Sequence, residues 1–248
     1  MKSIFTILVA IFLLFSPFNN AVADDFESAI ESGKSYYRQQ NLDKAQEEFK
    51  KAVSLQPSSA DAHYFLGYVL SEKYRNSHKE ASTKHLMAQM STGESSTEQS
   101  VQELEKEYIR YGLKPNLLEQ SLKEFKIVTE LDPSRYMAWY FIAVDHLNNK
   151  RYDMAIEYYT NALKAKPDHI ISLSGLGSAY SSTGKTDLAI QYYEKSIGLD
   201  PEISMTHLDL AKIYLEQGQK EKSIEIHNEM KRQNSILYDS LTYLIDQY

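Results

Sequence analysis

The residues that most invite a catalytic or metal-binding interpretation are seven histidines, in a chain that also has 34 acidic residues. His78 and His85 would need a further ligand to hold a metal ion, and neither has an acidic residue four positions away on the same helical face. The sequence contains no H-E-x-x-H zinc motif, glycine-rich phosphate loop or G-x-S-x-G nucleophile elbow. We therefore assign no catalytic residue and no cofactor, and keep a weak metal site at His78 and His85 as the alternative.

Charge patterning excludes other classes of function. Glu47 and Glu48 stand beside Lys50 and Lys51, a mixture typical of solvated helix faces. The formal net charge is −7 with no basic block to offset it, so we expect no nucleic-acid partner, because phosphate contacts need a basic surface. The absence of cysteine excludes disulfides, thiolate metal sites and a cysteine nucleophile.

The N-terminus has the order of a secretory signal sequence. Lys2 precedes an apolar or neutral run from Ile4 to Phe15, and small residues follow at positions 21 to 23. The run has 12 residues, short of the roughly 20 that span a bilayer as a helix. We expect cleavage after Ala23 and an exported protein, periplasmic or secreted. An uncleaved anchor that leaves the rest of the chain on the same far side is the alternative.

The elements that position these residues are predicted to be helices arranged in repeats. Glycine (9) and proline (6) are scarce, which favours helices over turn-rich β structure. Pro133, Pro167 and Pro201 are spaced 34 residues apart, and Pro57 opens the series. The period is the first sign of a stacked architecture.

Rows of 34 residues align small and aromatic side chains in columns. The first-helix column holds Gly33, Gly67, Ala143, Gly177 and Ala211. The second-helix columns hold Ala45, Ala155 and Ala189, then Phe49, Tyr159 and Tyr193, then Ala52, Ala162 and Ser196. Small residues let paired helices approach, the aromatic ring fills the space beside them, and proline ends the second helix.

These columns resemble the tetratricopeptide repeat (TPR), and residues 136 to 169, with Trp139 in the large-residue column, match it most fully. The resemblance implies an all-α fold, a right-handed superhelical solenoid of antiparallel helix pairs, with about six pairs and a C-terminal capping helix. After a signal peptide at 1–23, the solenoid occupies 24–248. Its predicted parts are repeats at about 26–59, 60–91, 102–135, 136–169, 170–203 and 204–237, a polar loop at 91–100 and a capping helix at 236–248.

Residues 60 to 135 allow two interpretations. The 76 residues from Pro57 to Pro133 equal two periods plus eight, which favours two complete repeats, the first with Ala81 and Ala88 in its second helix. The alternative makes residues 76 to 115 one long insertion inside a single repeat.

In the same alignment, four histidines take packing positions. His63 and His207 fall in the column of Trp139, and His146 and His227 fall in columns held elsewhere by tyrosine. Packing therefore explains them better than chemistry does.

The resemblance also implies that the first helices line a concave groove. Groove positions are predicted at Ile30, Lys34, Tyr37, Asp61, Tyr64, Tyr68, Met137, Tyr140, Val144, Ile171, Ser174, Ser178, Met205, Leu208 and Lys212. A carboxylate clamp needs clustered basic and amide side chains, and only Lys34 and Lys212 appear, so an extended or helical apolar peptide is the expected guest. Alternatively, Tyr64, Tyr68 and Tyr140 pack against neighbouring helices.

The functional expectation is an exported adaptor that binds a protein or peptide client in an apolar, tyrosine-rich groove. No small-molecule substrate is expected. The alternative is a structural scaffold of an envelope complex that forms a homo-oligomer through its C-terminal helix, where Leu241, Leu244 and Ile245 recur at helical spacing.

Overall fold

The computed structural model describes residues 17 to 92, 101 to 233 and 235 to 248, and every regular element within those ranges is an α-helix. The chain divides into two units, Met1–Asp132 and Pro133–Tyr248. The first unit contains α1 (Pro17–Arg38), α2 (Leu42–Leu55), α3 (Ala60–Thr92), α4 (Val101–Arg110) and α5 (Pro115–Leu131). The second contains α6 (Tyr136–Asn148), α7 (Tyr152–Ala165), α8 (Ile170–Ser182), α9 (Thr186–Leu199), α10 (Ser204–Glu216), α11 (Lys220–Arg232) and α12 (Tyr238–Gln247).

Helix pairs stack within each unit. In the first unit, α1 packs on α2, α2 on α3, and α3 on α5. In the second, the pairs are α6 with α7, α8 with α9, and α10 with α11, and each second helix packs on the first helix of the next pair. The predicted all-α fold of TPR type is confirmed.

Four of the helix pairs have the same type of turn between their two helices. A residue with positive φ ends the first helix of four pairs: Gln40, Lys150, Gly184 and Gly218. The next residue then donates to a carbonyl five positions back, as from the Lys185 N–H to the Tyr180 oxygen at 2.9 Å. This bond is the signature of a Schellman helix end, in which the left-handed residue stops the helix and reverses the chain.

The small-residue column works by sterics, as its pattern predicts. A methyl group on Gly33 would lie 2.6 Å from the Phe49 ring, and one on Gly177 would lie 2.7 Å from the Tyr193 ring. Both rings are almost fully buried. The aromatic side chain of the second helix therefore occupies the volume that the glycine of the first helix leaves open.

The structure differs from the two-repeat interpretation of residues 60 to 135. The helix pair predicted at 60 to 91 does not form, because α3 is one continuous helix. Its first half packs on α5, where the Ser121 hydroxyl donates to the Gly67 carbonyl at 2.7 Å and the Phe125 ring lies beside Gly67. The arrangement matches the insertion alternative: α3 and α5 form one pair, interrupted by the second half of α3 and by α4.

The physical reason is a missing helix terminator. Tyr74 stands at the row position that Gln40 and Gly184 occupy in their repeats, and a bulky residue strongly disfavours positive φ. No glycine or proline follows until Gly93, so α3 continues. The same turn appears later at Gly112 (φ 110°), before α5. Residues 93 to 100, most of the predicted polar loop, lie outside the described residues.

The structure tests the prediction for the C-terminal end of the chain but not the prediction for the N-terminal end. The terminal helix forms as α12, whose fully buried Leu241 packs on Ala211 and Met230. Residues 1 to 16, which carry most of the predicted signal sequence, lie outside the described residues. No described helix is both long and apolar enough to cross a membrane. Export and cleavage after Ala23 remain predictions.

Candidate functional site

Four of the predicted groove residues meet in the first unit. Lys34 and Tyr37 from α1 and Tyr64 and Tyr68 from α3 line one cavity of about 350 Å³. Both helices are the first of their pairs, and residues three or four apart on a helix share a face. The rest of the wall is formed by Arg38, Phe49, Phe65 and Val69. We call this space the aromatic cavity.

Ring contacts hold the wall of the aromatic cavity together. Tyr37 meets Tyr68 edge-on with ring centres 5.6 Å apart, and Tyr64 stacks on Tyr68 at 6.2 Å. Phe65 stacks on Phe49 at 5.3 Å, which ties the cavity to the buried ring beside Gly33. Such pairs stabilise by about 0.5–1.5 kcal/mol beyond area burial. The tyrosines thus pack on one another and still line open space, so the two readings of Tyr64 and Tyr68 are compatible.

The Tyr37 hydroxyl is a polar group in the cavity wall. Burial, followed by the hydrogen bond with Tyr68, raises the pKa of Tyr37 above its usual value. The hydroxyl therefore stays protonated and offers a donor and an acceptor in an otherwise apolar wall.

Two cationic side chains stand at this cavity. The Lys34 ammonium lies 5.1 Å from the centre of the Phe65 ring and 2.8 Å from Glu31. Because that ion pair is exposed, it contributes little to stability. Arg38 lies in the last turn of α1 with its side chain exposed. The hydrogen bond and charge of Lys34, followed by the positive charge of Arg38, lower the pKa of the Glu31 carboxyl.

Two predicted groove residues of the first unit do not line the cavity. Ile30 is only 4% exposed and belongs to the hydrophobic core with Phe26 and Ala29, so it is not available to a partner. It lies on the α1 face that packs within the stack. Asp61 is exposed in the first turn of α3, away from the cavity lining.

The predicted positions in the second unit form a different wall. Tyr140 packs edge-on to His169 at 5.3 Å and contacts Tyr159 at 6.4 Å. Ser174 and Thr206 share a hydrogen bond of 2.7 Å between α8 and α10. The other positions are half-buried (Met137, Val144, Ser178, Leu208) or exposed (Ile171, Met205, Lys212). Tyr140 thus follows the packing alternative more closely than Tyr64 does.

One carboxylate lies among these residues of the second unit. Burial raises the pKa of Asp209 above its usual value, and nearby Lys212 opposes that shift. Asp209 in turn adds to the effect of burial that raises the pKa of Tyr193. Sequence analysis did not single out Asp209, since nothing in its local pattern distinguishes it from a solvated acid.

The buried histidines have hydrogen-bonding roles in the frame. His63 Nδ1 lies 2.5 Å from a Glu124 carboxylate oxygen and Nε2 lies 2.9 Å from the Pro57 carbonyl, so one ring ties α3 to α5. His207 is also buried, with Nδ1 3.1 Å from the Ile203 carbonyl. Both follow the packing prediction. His146 and His227 do so as well, each stacked on a tyrosine ring.

His78 and His85 serve the contact between α3 and α4. Both rings meet the Tyr108 ring edge-on, at 5.2 and 5.5 Å. His85 Nδ1 lies 2.9 Å from Glu107, so the acidic partner that its own helix lacks comes from α4. Within the described ranges, no group of three or more histidine and acidic side chains is arranged to hold a metal ion.

Trp139 is less buried than its column suggests. Its side chain is half-buried, and its indole N–H donates to the Pro133 carbonyl at 2.9 Å. The sequence therefore overstates how much stability this residue contributes, since the cost of truncation grows with burial.

Sequence reasoning missed half of the cavity wall. It selected positions at spacings of three and four along each first helix, but the cavity lies between elements and includes Phe49 from α2. Phe65 and Arg38 each directly follow a selected residue, Tyr64 and Tyr37. Their aromatic and basic side chains were the available signal.

Comparison with protein families agrees with the geometry. Models of the tetratricopeptide repeat match residues 134 to 202 and 174 to 235, and a TPR repeat model matches residues 33 to 73. Together these matches cover more than half of the chain. The unmatched stretch between them contains the second half of α3 and α4, where the repeat is interrupted.

Several solved structures share this fold. MamA from Desulfovibrio magneticus RS-1 is 16% identical, with a TM-score of 0.62 over 85% of this chain and 96% of that chain. PilF of Pseudomonas aeruginosa is 17% identical, with a TM-score of 0.59 over 91% and 86%. YrrB, described as a TPR protein with an unusual peptide-binding site, is 14% identical, with a TM-score of 0.61 over 90% and 95%.

At these identities the likeness concerns the fold. Among curated protein sequences, none matches this chain significantly. The family models and the shared fold agree on the repeat, and the chain belongs to the tetratricopeptide repeat family.

Proposed function

We propose that this protein is an exported adaptor that binds a protein or peptide client, and that the aromatic cavity of the first unit is its main contact site. The observation that carries the proposal is the cavity itself, where four predicted groove residues meet around about 350 Å³. Open space lined by rings is what an apolar client side chain requires. Membership of the TPR family and the fold shared with a peptide-binding TPR protein support an interaction role.

Export rests on the sequence pattern of the N-terminus. Val22 to Asp25 are exposed and Phe26 is the first buried side chain described, so cleavage after Ala23 would remove no side chain that is described as buried. Mass spectrometry of the protein recovered from its native compartment tests this. A mature N-terminus at Asp24 is expected, and intact Met1 on a cytoplasmic protein would contradict it.

The client site is tested by comparing two double variants. Tyr64→Ala with Tyr68→Ala removes cavity rings, whereas Ser174→Ala with Ser178→Ala alters the corresponding face of the second unit. After circular dichroism confirms folding, partners are captured by in vivo crosslinking and quantified by mass spectrometry. The proposal expects the tyrosine variant to lose a partner that the serine variant retains. Equal retention by both variants would move the site away from the aromatic cavity.

A second candidate function is self-association as a scaffold. The C-terminal segment exposes Tyr243 (70%) on α12, Tyr248 (58%) directly after the helix and Ile236 (92%) before it. Exposed apolar groups of this kind are common at interfaces. Sedimentation of the wild type and of Tyr243→Ser at several concentrations tests it: a dimer that the substitution dissociates favours the scaffold, and a monomer throughout excludes it.

A further inference from the structure

The size and lining of the aromatic cavity restrict what it accepts. About 350 Å³ lies at the low end of ligand pockets, which suits one large side chain with part of its neighbours. Its rings come from both α1 and α3, and Phe65 stacks on the buried Phe49 ring, so the wall is positioned before a client arrives. A preformed site of this kind favours a bulky apolar anchor.

Charge around the cavity decides what stands next to that anchor. A client cation is disfavoured, because Lys34 already occupies a ring face at Phe65. An anion is favoured, since Lys34 and Arg38 both line the cavity. The acidic groups facing these cations are Glu31, paired with Lys34 at the surface, and Glu72, paired with Arg75 near Tyr37. Arg38 also acts on Glu31 electrostatically, so two cations share that one carboxylate at the cavity.

We propose that the aromatic cavity binds a client segment in which a bulky apolar side chain is followed closely by aspartate or glutamate. This inference rests on the proposed adaptor function and specifies its client. The apolar side chain inserts among Tyr37, Tyr64 and Tyr68. The adjacent carboxylate reaches Arg38 and exchanges with Glu31 for Lys34, a pair exposed enough to open at small cost.

The second unit provides the internal contrast. In the 34-residue rows, Ser178, Ser182 and Asp209 stand where the first unit has Lys34, Arg38 and Phe65. That face carries a carboxylate in place of the ring and serines in place of the two cations. Its own cation, Lys212, already acts on Asp209, so the face does not favour an acidic client segment. Selection for an acid therefore belongs to the first unit.

The test uses the full chain and labelled synthetic peptides of glycine and serine that carry Leu-Phe followed by Glu-Glu, Gln-Gln or Lys-Lys. Binding is measured by fluorescence anisotropy. The wild type is expected to prefer the Glu-Glu peptide to the Gln-Gln peptide by about five-fold at low salt, the size that two exposed charge pairs supply. The preference should shrink as salt screens these charges.

Two double variants test whether Lys34 and Arg38 cause the preference for the Glu-Glu peptide. Lys34→Glu with Arg38→Glu changes only the charged groups and should reverse the order, so that the Lys-Lys peptide binds best. Lys50→Gln with Lys51→Gln removes the same number of cations from the exposed side of α2 and should leave the order unchanged. A reversal with an unaffected control supports the proposal.

The experiment distinguishes failure of the acidic-client inference from failure of the adaptor function. Phe-bearing peptides that bind through Tyr64 and Tyr68 but show no preference for Glu overturn the acidic client and leave the adaptor function standing. Peptides that bind equally well to Tyr64→Ala with Tyr68→Ala overturn both, as does the absence of binding by all three peptides. The charge-reversed variant keeps the inference testable even if the tyrosine variant does not fold.

Discussion

The two units use the same helix frame with different side chains at the same row positions. Where the first unit has Lys34, Tyr64 and Phe65 around open space, the second has Ser178, Leu208 and Asp209. The frame beneath is alike, because Phe49 and Tyr193 fill the volume beside Gly33 and Gly177 in the same way. The repeat columns thus fix how helices pack, and the positions beside them are free to set what a surface binds.

The largest expected effect comes from removing a side chain that serves both frame and cavity. Phe49→Ala takes away a buried ring beside Gly33 and the stacking partner of Phe65. We expect a loss of roughly 3–5 kcal/mol in unfolding free energy, typical of a buried Phe→Ala change. Urea denaturation measures it, and hydrogen exchange should show lost protection in α1 to α3. Lys50→Ala, at an exposed position on the same helix, is the control. A loss below about 1 kcal/mol for Phe49→Ala would show that the packing of α1 on α2 does not depend on this ring.

Alanine substitutions at Gly177 and Gly67 compare how closely the helices pack in the two units. A methyl group on Gly177 would lie 2.7 Å from the Tyr193 ring, whereas one on Gly67 would lie 3.2 Å from the Phe125 ring. Overpacking lowers the free energy of unfolding by about 1–3 kcal/mol. The higher helix propensity of alanine offsets this by up to ~1 kcal/mol. Gly177→Ala should therefore destabilise, and Gly67→Ala should be close to neutral. Thermal unfolding of the two variants side by side decides it, and an equal loss would mean that the interrupted pair is packed as tightly as the others.

Much of this frame is predictable because its causes are local or strictly periodic. The column that contains Gly33 and Gly177 and the 34-residue spacing follow from the period, and the terminal helix follows from its local apolar pattern. The continuity of α3 does not, because the row arithmetic for residues 60 to 135 favours two complete repeats over one insertion. Tyr74 at a position that needs positive φ was the local signal for the insertion.

The site was predictable only in part for a related reason. Face periodicity finds side chains that share one helix surface, such as Tyr64 and Tyr68. A cavity bounded by three helices also takes residues from neighbouring faces, as Phe65 and Arg38 show. The burial of Ile30 and the half-exposure of Trp139 likewise depend on how the helices cross, which the one-dimensional pattern leaves open.

Binding offers a smaller but more selective comparison of the units. For the Leu-Phe-Glu-Glu peptide, Tyr64→Ala with Tyr68→Ala should weaken affinity about ten-fold or more, since two aromatic contacts are lost. Ser174→Ala with Ser178→Ala should change it less than about two-fold, because those hydroxyls lie in the other unit. Anisotropy titrations at one salt concentration measure both. A larger effect from the serine variant would reverse the assignment of the site.

The smallest expected effect is electrostatic and belongs to the second unit. Burial raises the folded-state pKa of Asp209 above its unfolded value, so its contribution is most favourable below the unfolded pKa and is lost as pH rises through the folded pKa. Asp209→Asn stays neutral at every pH. It should therefore be slightly more stable than the wild type at neutral pH, and the difference should close as the solution becomes more acidic than the usual aspartate range. Urea midpoints at neutral and acidic pH measure it, with Glu225→Gln on exposed α11 surface as the charge-matched control. A loss of stability at neutral pH would instead mean that the ionised Asp209 contributes favourably to the fold, through Lys212 or the Tyr193 hydroxyl. The carboxylate would then stabilise the second unit at the position that Phe65 fills in the first unit.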